Sequence, residues 1–220
     1  MAAMMRLFQG RHDRDVFPAM AHYPIEVATS ADEGSIRALC ERFNDAQSVF
    51  RFQMAQELSM KLCPERREGL SVHEVIGRVE KFRSDEHGYH PFVVVVISDR
   101  LSDDTNDSMN MSYNASRGIA LCTCYKWPTI ARASIHDYYG YVLAHAAAIF
   151  AFPSKLMHKD ELNCLFDRAI SKTLKDSMGA LCVCPSCAHE LSSYTNRTMT
   201  EAVIALVGAL AIHAEPKSTP

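Results

Sequence analysis

HKDELNC (158–164), LFDRAISKTLKDSMGALCV (165–183) and CPSC (184–187) place one imidazole and three thiols in the order that a tetrahedral metal site uses. His158 and Cys164 are six apart, and Cys184-x-x-Cys187 follows twenty residues later. Zinc takes thiolate sulfur and neutral imidazole nitrogen as four-coordinate ligands, and four protein ligands leave no position open for water. The spacing therefore predicts one structural Zn²⁺ on His158, Cys164, Cys184 and Cys187. In small zinc peptides such a site contributes roughly 10–16 kcal/mol, enough to fix a segment with little core of its own. Cys182 competes with Cys184 for a place in this set, and His189 with His158. The alternative is that CPSC is an incidental turn with two half-exposed thiols.

The rest of the composition bears on whether those thiols are free to bind metal. The chain has 220 residues and eight cysteines, and its net charge is −3. That charge gives no support to binding nucleic acid through phosphate neutralisation. The N-terminal MAAMMRLFQGRHDRD lacks the apolar core of a secretory signal, and the apolar run from Ala202 to Ile212 is too short to span a bilayer. The expectation is a cytoplasmic protein whose thiols stay reduced, so that clustered cysteines read as metal ligands rather than disulfides.

Working outward from the metal stretch, the segment from Asp167 to Met178 has helical character, with Gly179 as a stop. Upstream, Ser134-x-x-Asp137 caps a helix, DYYGYVLAHAAAIFAF, that runs to Pro153 and is apolar on most sides; it should be buried and central. His145 lies within it, read as a hydrogen-bonded core histidine. FVVVVI (92–97) is a β-branched run suited to a strand covered on both faces. A long polar loop is expected over residues 98–117, and GIALCTCY (118–125) is a strand with Cys122 and Cys124 on one face. Earlier still, HYPIEVA (22–28) is a strand, and Ser30-x-x-Glu33 reads as a capping box. Ile36, Leu39, Cys40 and Phe43 follow as a helical stripe, and Val49–Met54 alternates as a half-buried strand. Ser71-x-x-Glu74 opens a helix with Val75, Ile76, Val79 and Phe82 inward. Thr198-x-x-Glu201 caps a last helix carrying Val203, Leu206, Val207 and Leu210. Residues 1–20 read as a flexible lead-in, 21–213 as one domain with 158–190 its metal segment, and 214–220 as a disordered tail. The element order gives an α/β or α+β fold with a mixed sheet.

From Phe92 to Leu191 the pattern resembles the archaemetzincins, metzincin-type zinc metallopeptidases. In that family a strand, a polar loop and a second strand precede a helix with H-E-x-x-H-x-x-G-x-x-H-C-x4-C-x-M, and a C-x-x-C follows. The resemblance implies a zincin-like mixed sheet, a catalytic zinc on three histidines and a structural zinc on cysteines. Aligned from the C-terminal side, the second family cysteine matches Cys164 and the late pair matches Cys184 and Cys187. The third histidine matches His158, the first cysteine falls on Lys159, and the methionine falls on Phe166. The other catalytic positions fall on Ala148, Ile149 and Phe152. Sliding the helix by three residues recovers His145 but sets Ala146 and Ile149 where the glutamate and second histidine belong.

A zinc peptidase needs three protein ligands, an open position and a carboxylate to activate water. The leading expectation is therefore a catalytically inactive zincin-like protein. It keeps one structural Zn²⁺ and binds a protein or peptide partner through the old substrate cleft between FVVVVI and the apolar helix, by strand addition. The alternative is an active hydrolase with rearranged ligands, His136 and His145, and Asp137 or Glu161 as base. A third reading takes Cys182, Cys184 and Cys187 as a redox motif.

Overall fold

The computed structural model describes residues 23–62, 69–85, 92–103, 111–114, 117–127, 134–152, 164–167, 181–194 and 197–211. The expected lead-in and tail, the helical stretch from 168 onward, and His158 lie outside the described residues.

FVVVVI forms β4 (Phe92–Ile97), and every one of its side chains is buried. It is the middle strand of a five-stranded sheet. β1 (Tyr23–Thr29) pairs with it in parallel on one side and β7 (Ile119–Thr123) on the other. β2 (Phe50–Met54) adds in parallel beyond β1. β6 (Met111–Asn114) closes the far side as an antiparallel edge beyond β7, giving the order β2-β1-β4-β7-β6. A two-stranded parallel ribbon joins β3 (Leu70–Ser71) to β5 (Leu101–Ser102). The polar stretch 98–117 thus contains two short strands where a loop is expected. MSYN has little hydrophobic alternation, and only its pairing with β7 makes it a strand.

Alternation on the sheet assigns the helices to two layers. Ala28, Val93, Val95, Ile97, Ile119 and Leu121 meet α2 (Gln56–Leu62) and α3 (Val72–Asp85). Ile25, Val27, Val94, Val96, Ala120 and Cys122 face the other way, towards α1 (Glu33–Ala46), α4 (Ile135–Ala151) and α6 (Arg197–Ala211). A helix on each face is what a continuous β-branched central strand requires. The observed mixed α/β architecture agrees with the fold class read from the sequence.

α4 is the centre of the second layer. Tyr138 to Phe150 are all buried, so the helix is apolar around its whole circumference, as its sequence predicts. Ser134 caps it, with Oγ accepting the Asp137 N–H at 3.0 Å. It ends at Ala151, before Pro153, as a proline two residues on requires. Phe150 stacks on Phe92 of β4 with ring centroids 4.9 Å apart. Gly140 lies against Leu210 of α6, where a methyl group would collide with the leucine side chain. Two other caps differ from expectation. Asp32, not Ser30, caps α1 by accepting the Ser35 N–H, and α6 begins at Arg197, which puts Thr198 inside the helix. Both corrections have one cause: capping motifs recur by chance in Ser- and Thr-rich connections, and backbone geometry selects among them.

The β2 edge is sealed by side chains. Val49 O and Ala55 N bond to β1, so the amides of Phe50 and Phe52 point outward. Asn44 donates to Phe52 O and accepts its N–H, at 2.9 and 2.8 Å. Gln47 donates to Phe50 O and accepts the N–H groups of Val49 and Phe50. Two amide side chains, one in the last turns of α1 and one at its C-terminal cap, thereby stand in for a neighbouring strand and blunt an edge that could otherwise pair with another chain. Asn44→Ala is expected to cost about 1–3 kcal/mol in chemical unfolding and to promote concentration-dependent association in analytical ultracentrifugation. A variant that stayed monomeric and lost no stability would show that the edge needs no seal.

Candidate metal centre

Cys164 opens a tight turn, Cys164 to Asp167. Its N–H donates to Asp167 Oδ2 at 3.0 Å, and the Asp167 N–H returns to Cys164 O at 3.0 Å. The turn lies beside residues 181–184 in a parallel bridge, Cys164 with Cys182, in which Leu165 N–H donates to Cys182 O at 2.8 Å. Two residues on, CPSC is not a turn but the start of α5 (Pro185–Tyr194). Cys184 O accepts the Ala188 N–H at 2.9 Å, so Cys184 caps the helix and Pro185 takes its first position. Cys184 and Cys187, three residues apart across a helix start, lie on one side.

The sulfurs of Cys164, Cys184 and Cys187 all lie within 4.8 Å of one another, and all three residues are buried. Tetrahedral zinc with Zn–S bonds near 2.3 Å sets its sulfurs about 3.8 Å apart. A small contraction would make this group a three-thiolate face for one ion. It is the only cluster of three or more such ligand groups among the described residues. Cys182 is exposed and its sulfur lies outside the group, so Cys184 is the thiol brought to Cys164 and Cys187. His189 is exposed on α5 and also lies outside it. His158, the expected fourth ligand, falls outside the described residues.

The surroundings favour a thiolate at this point. Cys184 N–H donates to Cys164 Sγ at 3.3 Å, and Ser186 Oγ lies 3.1 Å from Cys184 Sγ. Burial works against ionising Cys184, but hydrogen bonds from Ser186 and the Cys187 amide bring its pKa down to about 6. Burial pushes Cys164 up to about 11 and raises Cys187 as well. Without a cation one sulfur carries the charge; a bound Zn²⁺ would hold all three as thiolates. Ser186 is a participant that the spacing of cysteines does not reveal. Its position between two ligands at a helix start is the available signal.

Among the described residues, His136 and His145 do not converge. His136 is exposed in the first turn of α4, beside the half-buried Asp137. His145 lies nine residues further along, roughly 13 Å up the helix axis. It is 1% exposed. Tyr113 Oη is 2.6 Å from its Nδ1, and Tyr141 stacks on its ring at 5.2 Å between centroids. Burial alone drops its pKa to about 4, so it is neutral at pH 7. Tyr113 comes from β6, inside the stretch expected to be loop, and no local pattern announces the pairing. Cys40 and Cys122 are core residues, as their stripe and strand predict, and Cys122 Sγ donates to Val95 O.

α4 packs on β4, with Phe150 stacked on Phe92. The edge that remains is β6. Cys124 N bonds to Ile97 O and Val93 N to Gly118 O, so the even-numbered amides of β7 face β4 and its odd-numbered ones face β6. With Ser112 opposite Leu121 and Asn114 opposite Ile119, the N–H and C=O groups of Met111 and Tyr113 point outward.

Comparison with known proteins matches the fold rather than the sequence. No protein-family model and no curated protein matches the chain. The crystal structure of archaemetzincin from Methanopyrus kandleri aligns with a TM-score of 0.54 at 13% identity, over 82% of this chain and 99% of that one. A zinc-dependent peptidase from Methanocorpusculum labreanum aligns with a TM-score of 0.51 at 12% identity, over 76% of this chain and 98% of that one. The chain therefore has an archaemetzincin-like fold. Among the described residues no helix is long and apolar enough to cross a membrane.

Proposed function

We propose that this chain is a catalytically inactive zincin-like protein of the cytoplasm, holding one structural Zn²⁺ on Cys164, Cys184, Cys187 and His158. It binds a protein or peptide partner rather than cleaving one. The observation that carries this reading is the contrast between two places in one fold. The three thiols are assembled and buried, whereas α4 presents Ala148, Ile149 and Phe152 in the core and ties its one buried imidazole to Tyr113. Among the described residues, the neighbours of His145 are the Tyr113 hydroxyl and the rings of Tyr113, Tyr141 and Phe166.

The partner would add as a strand to the β6 edge, where the Met111 and Tyr113 amides point outward, rather than between β4 and α4, where Phe150 stacks on Phe92. Elemental analysis is expected to return one zinc per chain, with no hydrolysis of a mixed peptide library at any added zinc concentration. Two zincs, with peptide hydrolysis lost in His145→Ala, would establish the active hydrolase instead. Peptides selected from the same library as binders should lose affinity roughly tenfold in Met111→Pro, which removes one outward N–H at an edge that tolerates proline. Unchanged affinity would place the partner elsewhere.

A further inference from the structure

We infer that the three-thiol cluster is a redox-released clasp. Oxidation joins Cys184 to Cys187, expels the metal and removes the metal link between the Cys164 turn and α5. The inference rests on the zinc reading above and extends it to regulation of the same site.

The geometry distinguishes the possible pairs. A metal held by Cys164, Cys184 and Cys187 cross-links two segments: the 164–167 turn and the first turn of α5. Cys184 and Cys187 belong to one segment. Cβ atoms three residues apart on a helix sit about 5–6 Å from each other, a little beyond the roughly 3.5–4.5 Å that a disulfide spans between them. The Cys184 and Cys187 sulfurs already lie within 4.8 Å of each other. They close by an adjustment confined to one turn of helix. Cys164 is on the other segment, and its sulfur is engaged by the Cys184 N–H. A Cys184–Cys187 bond therefore replaces a link between segments with one inside a helix.

The turn would then be held to residues 182–184 by the Leu165 N–H to Cys182 O and Cys184 N–H to Cys164 Sγ hydrogen bonds, beside its own bonds between Cys164 and Asp167. It carries Phe166, buried against His145 of α4, so the signal reaches the central helix. With a hydroperoxide as oxidant, two zinc-bound thiolates lose two electrons to form the S–S bond. The peroxide O–O bond breaks, two protons from solvent complete water and alcohol, and Zn²⁺ leaves. A dithiol reductant reverses the change.

The test treats the zinc-loaded full-length chain with hydrogen peroxide, follows zinc with a chromogenic chelator, and maps bonds by non-reducing peptide mass spectrometry. One equivalent of zinc should be released as one Cys184–Cys187 bond forms. Cys164 should be alkylated as a free thiol, and reductant with zinc should restore the metal. Cys182→Ser should behave identically, since Cys182 lies outside the cluster. A bond from Cys164 to either partner, or zinc retained until the chain unfolds, overturns the inference. Protein that contains no zinc as purified counts against the zinc reading alone. The pairing is then read on the reduced, metal-free chain, where a Cys184–Cys187 bond still upholds the switch geometry and a Cys164 bond still refutes it.

Discussion

Cys184→Ser is expected to purify without stoichiometric metal and to melt roughly 10 °C below the wild type. The reasoning starts from the position of the sulfur. Cys184 is at once the cap of α5, the acceptor of the Ser186 and Cys187 hydrogen bonds, and a member of the buried three-sulfur group. Serine keeps a capping oxygen, so α5 itself should survive. What is lost is the ion.

A ligand present at a thousand times its dissociation constant stabilises the state that binds it by about 4 kcal/mol. For a chain of this size that corresponds to roughly 8–16 °C in melting temperature. A strong chelator should shift the wild type by the same amount and leave Cys184→Ser unmoved. Cys182→Ser, altered at an exposed thiol outside the group, should keep both metal and melting point. Equal chelator sensitivity in all three proteins would mean that the ion, if any, sits elsewhere.

The second large effect is on acid stability, and its source is His145. The imidazole is buried among Tyr113, Tyr141 and Phe166, with a folded pKa of about 4 against an ordinary value of 6.5. A depressed histidine pKa means that the unfolded chain binds a proton that the folded chain refuses. Between the two values stability must therefore rise with pH and fall as acid is added. Two and a half units at about 1.4 kcal/mol each amount to about 3 kcal/mol, fully present above pH 6.5 and gone by pH 4.

His145→Asn keeps a polar group near Tyr113 Oη and does not titrate. Unfolding free energies of the wild type and this variant, measured by urea titration in the presence of chelator from pH 7.5 to 4.5, should converge at the acid end by about that amount. The chelator removes the separate effect of acid on metal-bound thiols. Parallel curves would mean that the imidazole is protonated in the folded chain and has a charge partner.

The sequence determined the parts of this protein that are set by local periodicity or by chemistry at fixed spacing. Six consecutive β-branched or aromatic residues at 92–97 could only be a strand covered on both faces. Seventeen residues at 135–151, apolar on nearly every side, could only be a buried helix, and three cysteines spaced as ligands marked the one place where the described chain assembles them. The archaemetzincin pattern over the second half of the chain pointed to the zincin-like fold that the structural neighbours share.

Tertiary structure decided what depends on residues distant in sequence. MSYN became a strand because β7 lay beside it. CPSC became a helix start once the turn at Cys164 supplied the opposite wall. Asp32 was chosen over Ser30 by the backbone entering α1. Tyr113 and His145, thirty-two residues apart, met only because an edge strand and a central helix share one layer of the core. Phe150 of α4 met Phe92 of β4 because an apolar helix and a sheet's middle strand bury the most surface by packing on each other. The outward amides of Met111 and Tyr113, at the edge opposite the one that Asn44 and Gln47 seal, are where the proposed partner strand would add.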